Sequence, residues 1–335
     1  MTRCTVIRRP KSTRLSNSIP NSPANSFLPS SGRWYVNRYL KRPERNSRVS
    51  RHSHFAFSKF NWREITLKKK KNTAKKNLGV RTTRHPNMNN QTSRKQLGQS
   101  PINLDEENVI GIQLPPLIMS GHWSQDGYTT LVNTGSTARI TLGGERIPAT
   151  IRGGPFGDDV YQLDEVTFRW GSADCMGAEH TLNGTWFTME AQALHWNLRY
   201  GALEKCWDKR DGLAICAYFL QVYQLPAWEE NPLFSKITDN LDKVIQPGIS
   251  AKITPNSLCW MRQACQTPGY YTYQGSITTS PYHECVTWII FPEPVRISEH
   301  QARMFRSLRN KYGSCIRENH RPVQHLNGRL VYYAS

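Results

Sequence analysis

No apolar run in the 335 residues approaches the roughly 18–20 needed to span a bilayer as a helix. The N-terminal stretch Met1-Thr-Arg-Cys-Thr-Val-Ile-Arg-Arg-Pro10 lacks the continuous apolar centre of a secretory signal. Its Arg- and Ser-rich, acid-poor composition is nearer to an organelle transit peptide, although Pro10, Pro20 and Pro23 interrupt any amphipathic helix there. The eight cysteines are Cys4, Cys175, Cys206, Cys216, Cys259, Cys265, Cys285 and Cys315, and none forms a C-x-x-C pair or a zinc-finger spacing. Reduced thiols are therefore the expectation, with Cys259 and Cys265 the one pair spaced to bridge a loop.

Acidic residues are almost missing from one part of the chain. Residues 1–100 carry 24 Lys and Arg against two acids, Glu44 and Glu64, a net of +22. Residues 101–335 carry the other 20 basic residues against 23 acids, a net of −3, and the two parts give the chain's +19. The basic character belongs to the N-terminal segment alone, so it does not make the whole protein a nucleic-acid binder. Apolar residues in 1–98 follow neither a period of 2 nor one of 3.6, and the segment reads as a disordered basic tail. Its Lys68–Lys76 cluster admits nuclear import or weak contact with nucleic acid or an anionic membrane, and is equally the solvated charge of a tail. Aromatics from Trp34 to Trp62 interleave with the basic residues, as base stacking would require.

The pattern changes at Gln99, and residues 99–333 read as one domain. Tyr161 to Trp170 alternates as a strand, with Glu165, Thr167 and Arg169 on one face and Val166, Phe168 and Trp170 on the other. Trp186 to Trp196 predicts a second strand whose Glu190, Gln192 and Leu194 share a face. Leu213 to Leu220 and Cys285 to Phe291 are continuous apolar runs of strand length, which implies burial on both faces. Phe234, Ile237, Leu241 and Val244 predict one helix ending at Pro247-Gly248, and Ser298 with Gln301 forms a capping box for another.

Five segments in order resemble the α-class carbonic anhydrase family. They are Gln99-Ser-Pro-Ile102, Gly177-Ala-Glu-His-Thr181, Glu190-Ala-Gln-Ala-Leu-His-Trp-Asn197, Gly275-Ser-Ile-Thr-Thr-Ser-Pro281 leading into Glu284-Cys-Val-Thr-Trp288, and Arg321-Pro-Val-Gln324. Phe168-Arg-Trp-Gly171 fits the same register. The resemblance implies an α+β, mainly β domain: a central, twisted, mostly antiparallel sheet of about ten strands with short peripheral helices and a conical cavity. Two departures stand out. The aromatic-rich segment that precedes Gln-Ser-Pro-Ile in the family is replaced by Arg81 to Leu97, and Tyr282 stands after Pro281 where extracellular members carry a disulfide cysteine.

Catalysis in that family uses two histidines two apart on one strand and a third on the next. Residues i and i+2 share a face and adjacent strands lie about 4.8 Å apart, so three imidazoles can hold zinc and leave a fourth position for water. The resemblance puts Thr167, Arg169 and Gln192 at those three positions. A neutral hydroxyl and a neutral amide are poor zinc donors beside imidazole, and a guanidinium has no lone pair and repels the ion. No trio replaces them: His122, His180, His195, His283, His300, His320 and His325 include no pair at i, i+2, and register turns His195 away from the cavity. The one H-x-H, His52-Ser-His54, lies in the tail. Ser136 stands at the proton-shuttle position, where a group titrating near neutrality is needed.

Thr278 and Glu179 match the residues that orient the zinc-bound hydroxide in the family, and Glu190 matches an acid that fixes one of its histidines. They read either as a cavity kept for a ligand or as buried hydrogen-bonding scaffold. Burying Arg169 demands a carboxylate, so a charge-assisted bond to at least one of Glu165, Glu179 and Glu190 is expected. The sequence thus resembles the non-catalytic carbonic-anhydrase-related proteins. It predicts no catalytic residue, no metal and no cofactor, a protein-binding role and a cytoplasmic setting, with residual zinc-dependent carbonate dehydratase activity as the alternative.

Overall fold

A computed structural model describes residues 98–223 and 230–335. The basic segment up to residue 97, with its lysine cluster and its H-x-H, lies outside the described residues. In chain order the strands are β1 (Asn103–Leu104), β2 (Ile110–Ile112), β3 (Ile118–Ser120), β4 (Tyr128–Asn133), β5 (Ala138–Gly143), β6 (Thr150–Arg152), β7 (Val160–Trp170), β8 (Thr181–Leu182), β9 (Met189–Asn197), β10 (Leu213–Val222), β11 (Ser250–Ile253), β12 (Tyr270–Gly275), β13 (Val286–Ile297) and β14 (Tyr332–Ala334). The helices are α1 (Pro232–Thr238), α2 (Met261–Ala264) and α3 (Glu299–Arg306). Twelve strands form one mixed sheet in the order β11-β4-β5-β7-β9-β10-β13-β12-β14-β2, with β6 joined to β7 and β3 to β6; β1 and β8 pair separately. The pairs β10–β13 and β14–β2 are parallel and the others in this sheet antiparallel.

The continuous apolar runs have a direct cause. In β10, Ala214, Cys216, Tyr218 and Leu220 enter one hydrophobic core while Leu213, Ile215, Ala217 and Phe219 enter a second on the opposite face. β13 divides the same way, with Ile289 and Phe291 in the first core and Trp288 and Ile290 in the second. The first core is closed by helices: Phe168 packs on Phe305 of α3 at a centroid distance of 4.9 Å, and Phe234 of α1 meets Trp260 edge-on at 5.4 Å. β7 and β9 keep an apolar first face, including Val166, Phe168, Trp170, Ala191 and Ala193. Their other face turns polar, and the second core gives way to a cavity there.

Two expectations need adjustment. The second strand begins at Met189 rather than Trp186; ahead of it Asn183 and Gly184, both with positive φ, form a turn closed by a bridge between Leu182 and Thr185. The single predicted helix over Phe234 to Val244 is two pieces, α1 and a 3-10 turn at Leu241–Val244. The side-chain amide of Asn240 donates to the Lys236 carbonyl, the acceptor that continued helix would have used, while all four apolar residues stay buried. Cys259 and Cys265 are free thiols, as are the other described cysteines. The capping box stands as expected, with Ser298 and Gln301 each bonded to the other's backbone N–H.

Candidate functional site

The antiparallel register of β7 and β9 sets Thr167 opposite Gln192 and Arg169 opposite Glu190. Directly opposed Cβ atoms lie about 4.5–5.5 Å apart, so Thr167, Arg169 and Gln192 occupy one small area of one face. Glu165 shares this face with Thr167 and Arg169 by strand alternation. A bulge between Leu163 and Glu165 switches the parity before it, so Tyr161 and Leu163 join Val166 and Phe168 in the apolar core. A cavity of about 240 Å³ opens over this face, walled by Arg139, Glu165, Thr167, Arg169 and Thr279 with Ser136 at its exposed rim.

Arg169 is 94% buried. Its Nε donates to Glu179 Oε1 at 3.2 Å and its Nη1 to the Phe168 carbonyl at 3.2 Å. Of the three carboxylates expected to offset its charge, Glu179 therefore does so; Glu165 lies 3.7 Å from Arg139, and Glu190 is engaged elsewhere. Gln192 Nε2 donates to Glu179 Oε2 at 2.6 Å and to Glu190 Oε1 at 3.0 Å, and the Thr278 hydroxyl faces Gln192 Oε1 at 3.5 Å. The backbone N–H of Arg321 adds a third donor to Glu179, at 3.0 Å.

Glu190 anchors the floor. It is fully buried, accepts the backbone N–H groups of Glu179 and His180, and meets His180 Nδ1 at 2.9 Å. Burial alone would raise its carboxyl, but the facing His180 imidazole and these hydrogen bonds hold it below the ordinary range. From His180 Nε2 the network runs to the Tyr273 hydroxyl at 2.7 Å and on to Ser100 Oγ at 2.8 Å. Burial drives Glu165 upward, with Asp164 adding to it and Arg139 and Arg169 opposing.

The register also turns His195 to the opposite face, where its Nε2 lies 2.9 Å from His122 Nε2. His195 Nδ1 donates to the Ala193 carbonyl, so the shared proton belongs to His122. Both imidazoles are held well below their ordinary value by burial, His122 at about 4. Among the described residues no cluster of three or more His, Cys, Asp or Glu is arranged to hold a metal ion.

Sequence reasoning found the positions but missed several neighbours. Arg139 faces the cavity from β5 opposite Thr167, and strand alternation alone does not select it. Asn319 donates to the carbonyls of Ser136 and Phe168, tying the rim to β7. Its place two residues before the Arg321-Pro-Val-Gln324 segment was the available signal. A larger cavity of about 470 Å³ lies elsewhere, with apolar walls including Leu117, Met119, Trp123 and Phe291.

The family model for eukaryotic-type carbonic anhydrase matches residues 83–335. This chain belongs to the carbonic anhydrase family. It is 33% identical over 239 residues to carbonic anhydrase 3 of Homo sapiens, covering 70% of this chain and 88% of that protein. Carbonic anhydrase 3 of Sus scrofa is 32% identical over 242 residues with the same coverage, and carbonic anhydrase 1 of Monodelphis domestica is 33% identical over 242 residues, covering 70% and 87%. The mixed twelve-stranded sheet with few short helices is this family's domain. Among the described residues no helix is long and apolar enough to cross a membrane.

Proposed function

We propose that this carbonic anhydrase family member is non-catalytic and acts by binding another protein. The observation that carries the reading is Arg169 itself, buried in the cavity wall with Nε on Glu179. Zinc in this fold needs three neutral donors with free lone pairs. Thr167 supplies a hydroxyl, and Gln192 turns its N–H group toward two carboxylates, leaving an amide oxygen beside Thr278. Arg169 supplies a positive charge that an incoming dication would have to meet. The residues do not fit the metal, so no hydration step is derived for them.

Glu179, Glu190 and Thr278 serve here as scaffold. Glu179 offsets Arg169 and accepts from Gln192 and Arg321, and Glu190 ties two backbone N–H groups to His180. Ser136 cannot relay protons near neutrality, which agrees with a cavity that has no hydroxide to regenerate. Zinc content and carbon dioxide hydration measured on the purified full chain test the reading. We expect substoichiometric zinc and a hydration rate at the uncatalysed background. Stoichiometric zinc accompanied by hydration that a chelator abolishes would restore the enzyme. A pull-down comparing the full chain with residues 83–335, the span the family model matches, assigns any partner to the tail or to the domain, and loss of salt-sensitive binding on removing 1–82 marks the tail's contribution.

A further inference from the structure

We propose that the protein associates with a second copy of itself by antiparallel pairing of the edge strand β2 around a two-fold axis at Gly111. Four strands separate β2 from β9, so this pairing is independent of what the cavity binds.

The strand path of the sheet ends at β11 and β2, and the two ends are finished differently. β11 carries the exposed Lys252, a charge that discourages pairing with another chain. At β2, the run Val109-Ile-Gly-Ile-Gln-Leu-Pro-Pro-Leu-Ile-Met119 holds no charged residue and none that is buried. Ile110 is 43% exposed. β2 is bonded on one side: Ile110 N–H donates to the Val331 carbonyl in the parallel pairing with β14. Alternation therefore turns the N–H and C=O of Gly111 outward, where neither has a partner among the described residues. Val109 and Gln113 share that parity. A Cβ on Gly111 would meet nothing within 4 Å, so a second backbone can approach closely.

The residues select the register. Bonded pairs must match outward-facing residues, so the axis can pass through Ile110, Gly111 or Ile112 of β2. Centring on Ile112 sets Val109 against the partner's Pro115, which has no N–H. Centring on Ile110 sets Asn108 against the partner's Ile112 and Glu107 against the partner's Gln113. Centring on Gly111 joins the two glycines by both N–H···O=C bonds and pairs Val109 with the partner's Gln113. It also sets Ile110 against the partner's Ile112 on either side of the axis, on the face where Ile112 packs against the first core. The antiparallel direction keeps Asp105, Glu106 and Glu107 of the two copies at opposite ends of the paired segment. An uncharged strip of this symmetry is complementary to itself, as a two-fold interface requires. Five paired residues a side, Val109 to Gln113, are far fewer than the roughly 20–30 of a standard interface, so the dimer is weak and depends on concentration.

Sedimentation velocity on the full chain, from about 1 to about 200 µM and in about 0.5 M sodium chloride to screen the basic N-terminal segment, reads the association. The wild type should pass from monomer to dimer with a dissociation constant of roughly tens of micromolar. Ile110→Lys sets a charge against the partner's Ile112, and Gly111→Pro removes the central N–H. Each should raise the dissociation constant about tenfold or more, while Ser250→Lys on β11 leaves it unchanged. Thermal midpoints of dilute samples, all monomeric, check that the variants fold as wild type does. Hydrogen exchange on the wild type reads the edge without any substitution: peptides covering Val109 to Gln113 should exchange more slowly as concentration rises. A wild type that stays monomeric across the range overturns the proposal, whether the edge is bare or covered by another segment. So does a dimer whose exchange at Val109 to Gln113 ignores concentration, or one that folded Ile110→Lys and Gly111→Pro leave intact.

Discussion

Replacing Arg169 by Met removes the charge while keeping most of the volume, and it leaves Glu179 behind with its side chain 1% exposed. Removing one partner of a buried ion pair costs about 3–5 kcal/mol, because the surviving charge stays desolvated. Glu179 would retain the Gln192 amide at 2.6 Å and the Arg321 N–H at 3.0 Å, which puts the expected loss at the lower end, about 3 kcal/mol. For a domain of this size that corresponds to a fall in thermal midpoint of roughly 6–12 °C. Urea denaturation followed by tryptophan fluorescence reads the free energy directly, the chain having ten tryptophans. The paired control is Glu179→Gln in the Arg169→Met background. It neutralises the orphan and should recover more than half of the loss, about 2 kcal/mol. If Arg169→Met stays within about 1 kcal/mol of wild type, or the double variant is no more stable than the single, the buried pair is not what holds this wall.

Three further outcomes follow from the same geometry. The triple variant Thr167→His, Arg169→His, Gln192→His should bind one zinc per chain, since β7 and β9 already bring the three Cβ atoms to one face; equilibrium dialysis showing no zinc would mean the face cannot converge three imidazoles. His122 and His195 are neutral in the folded state and protonate more readily when unfolded, so stability is full above pH 6.5 and falls as pH drops from there toward about 4. His122 alone contributes about 3 kcal/mol to that fall, and His122→Gln should flatten the stability profile in this window when urea midpoints are compared across pH. Gly171→Ala should block folding at 37 °C, judged by soluble yield and circular dichroism, because a Cβ there would lie 1.8 Å from the Met176 carbonyl oxygen, a backbone atom that cannot swing aside.

The sheet was legible because its burial is written in the residue pattern. Eight apolar residues in a row at Leu213 to Leu220 fit only a strand covered on both faces, and β7 shows its two faces by alternating Glu165, Thr167 and Arg169 with Val166, Phe168 and Trp170. The α1 break was not legible, since it depends on a side-chain amide at Asn240 outcompeting the next helical N–H, and apolar spacing carries no trace of that. At the site, the demand of Arg169 for a carboxylate followed from burial, but the choice of Glu179 over Glu190 did not. Glu190 stands directly opposite Arg169 in the strand register, yet its oxygens are occupied by two backbone N–H groups, His180 and Gln192. Tyr282 was readable only as a missing cysteine; the structure gives it a positive φ and sets its ring under the Arg321 guanidinium at 3.9 Å.

Arg321 does more than cover that ring. One Nη1 group reaches both the Gln99 side chain and the Ser100 carbonyl, its own backbone N–H sits on Glu179, and Ser100 closes the loop through Tyr273 and His180 to Glu190. Gln99 and Ser100 are therefore pinned, through side chains from four distant parts of the chain, to the carboxylates under the cavity. A cut or substitution at Gln99 or Ser100 would be transmitted to Glu179 and Glu190 and not absorbed as a frayed end. An N-terminal boundary for any shortened version belongs upstream of Gly98, whose own N–H is tied to Glu284.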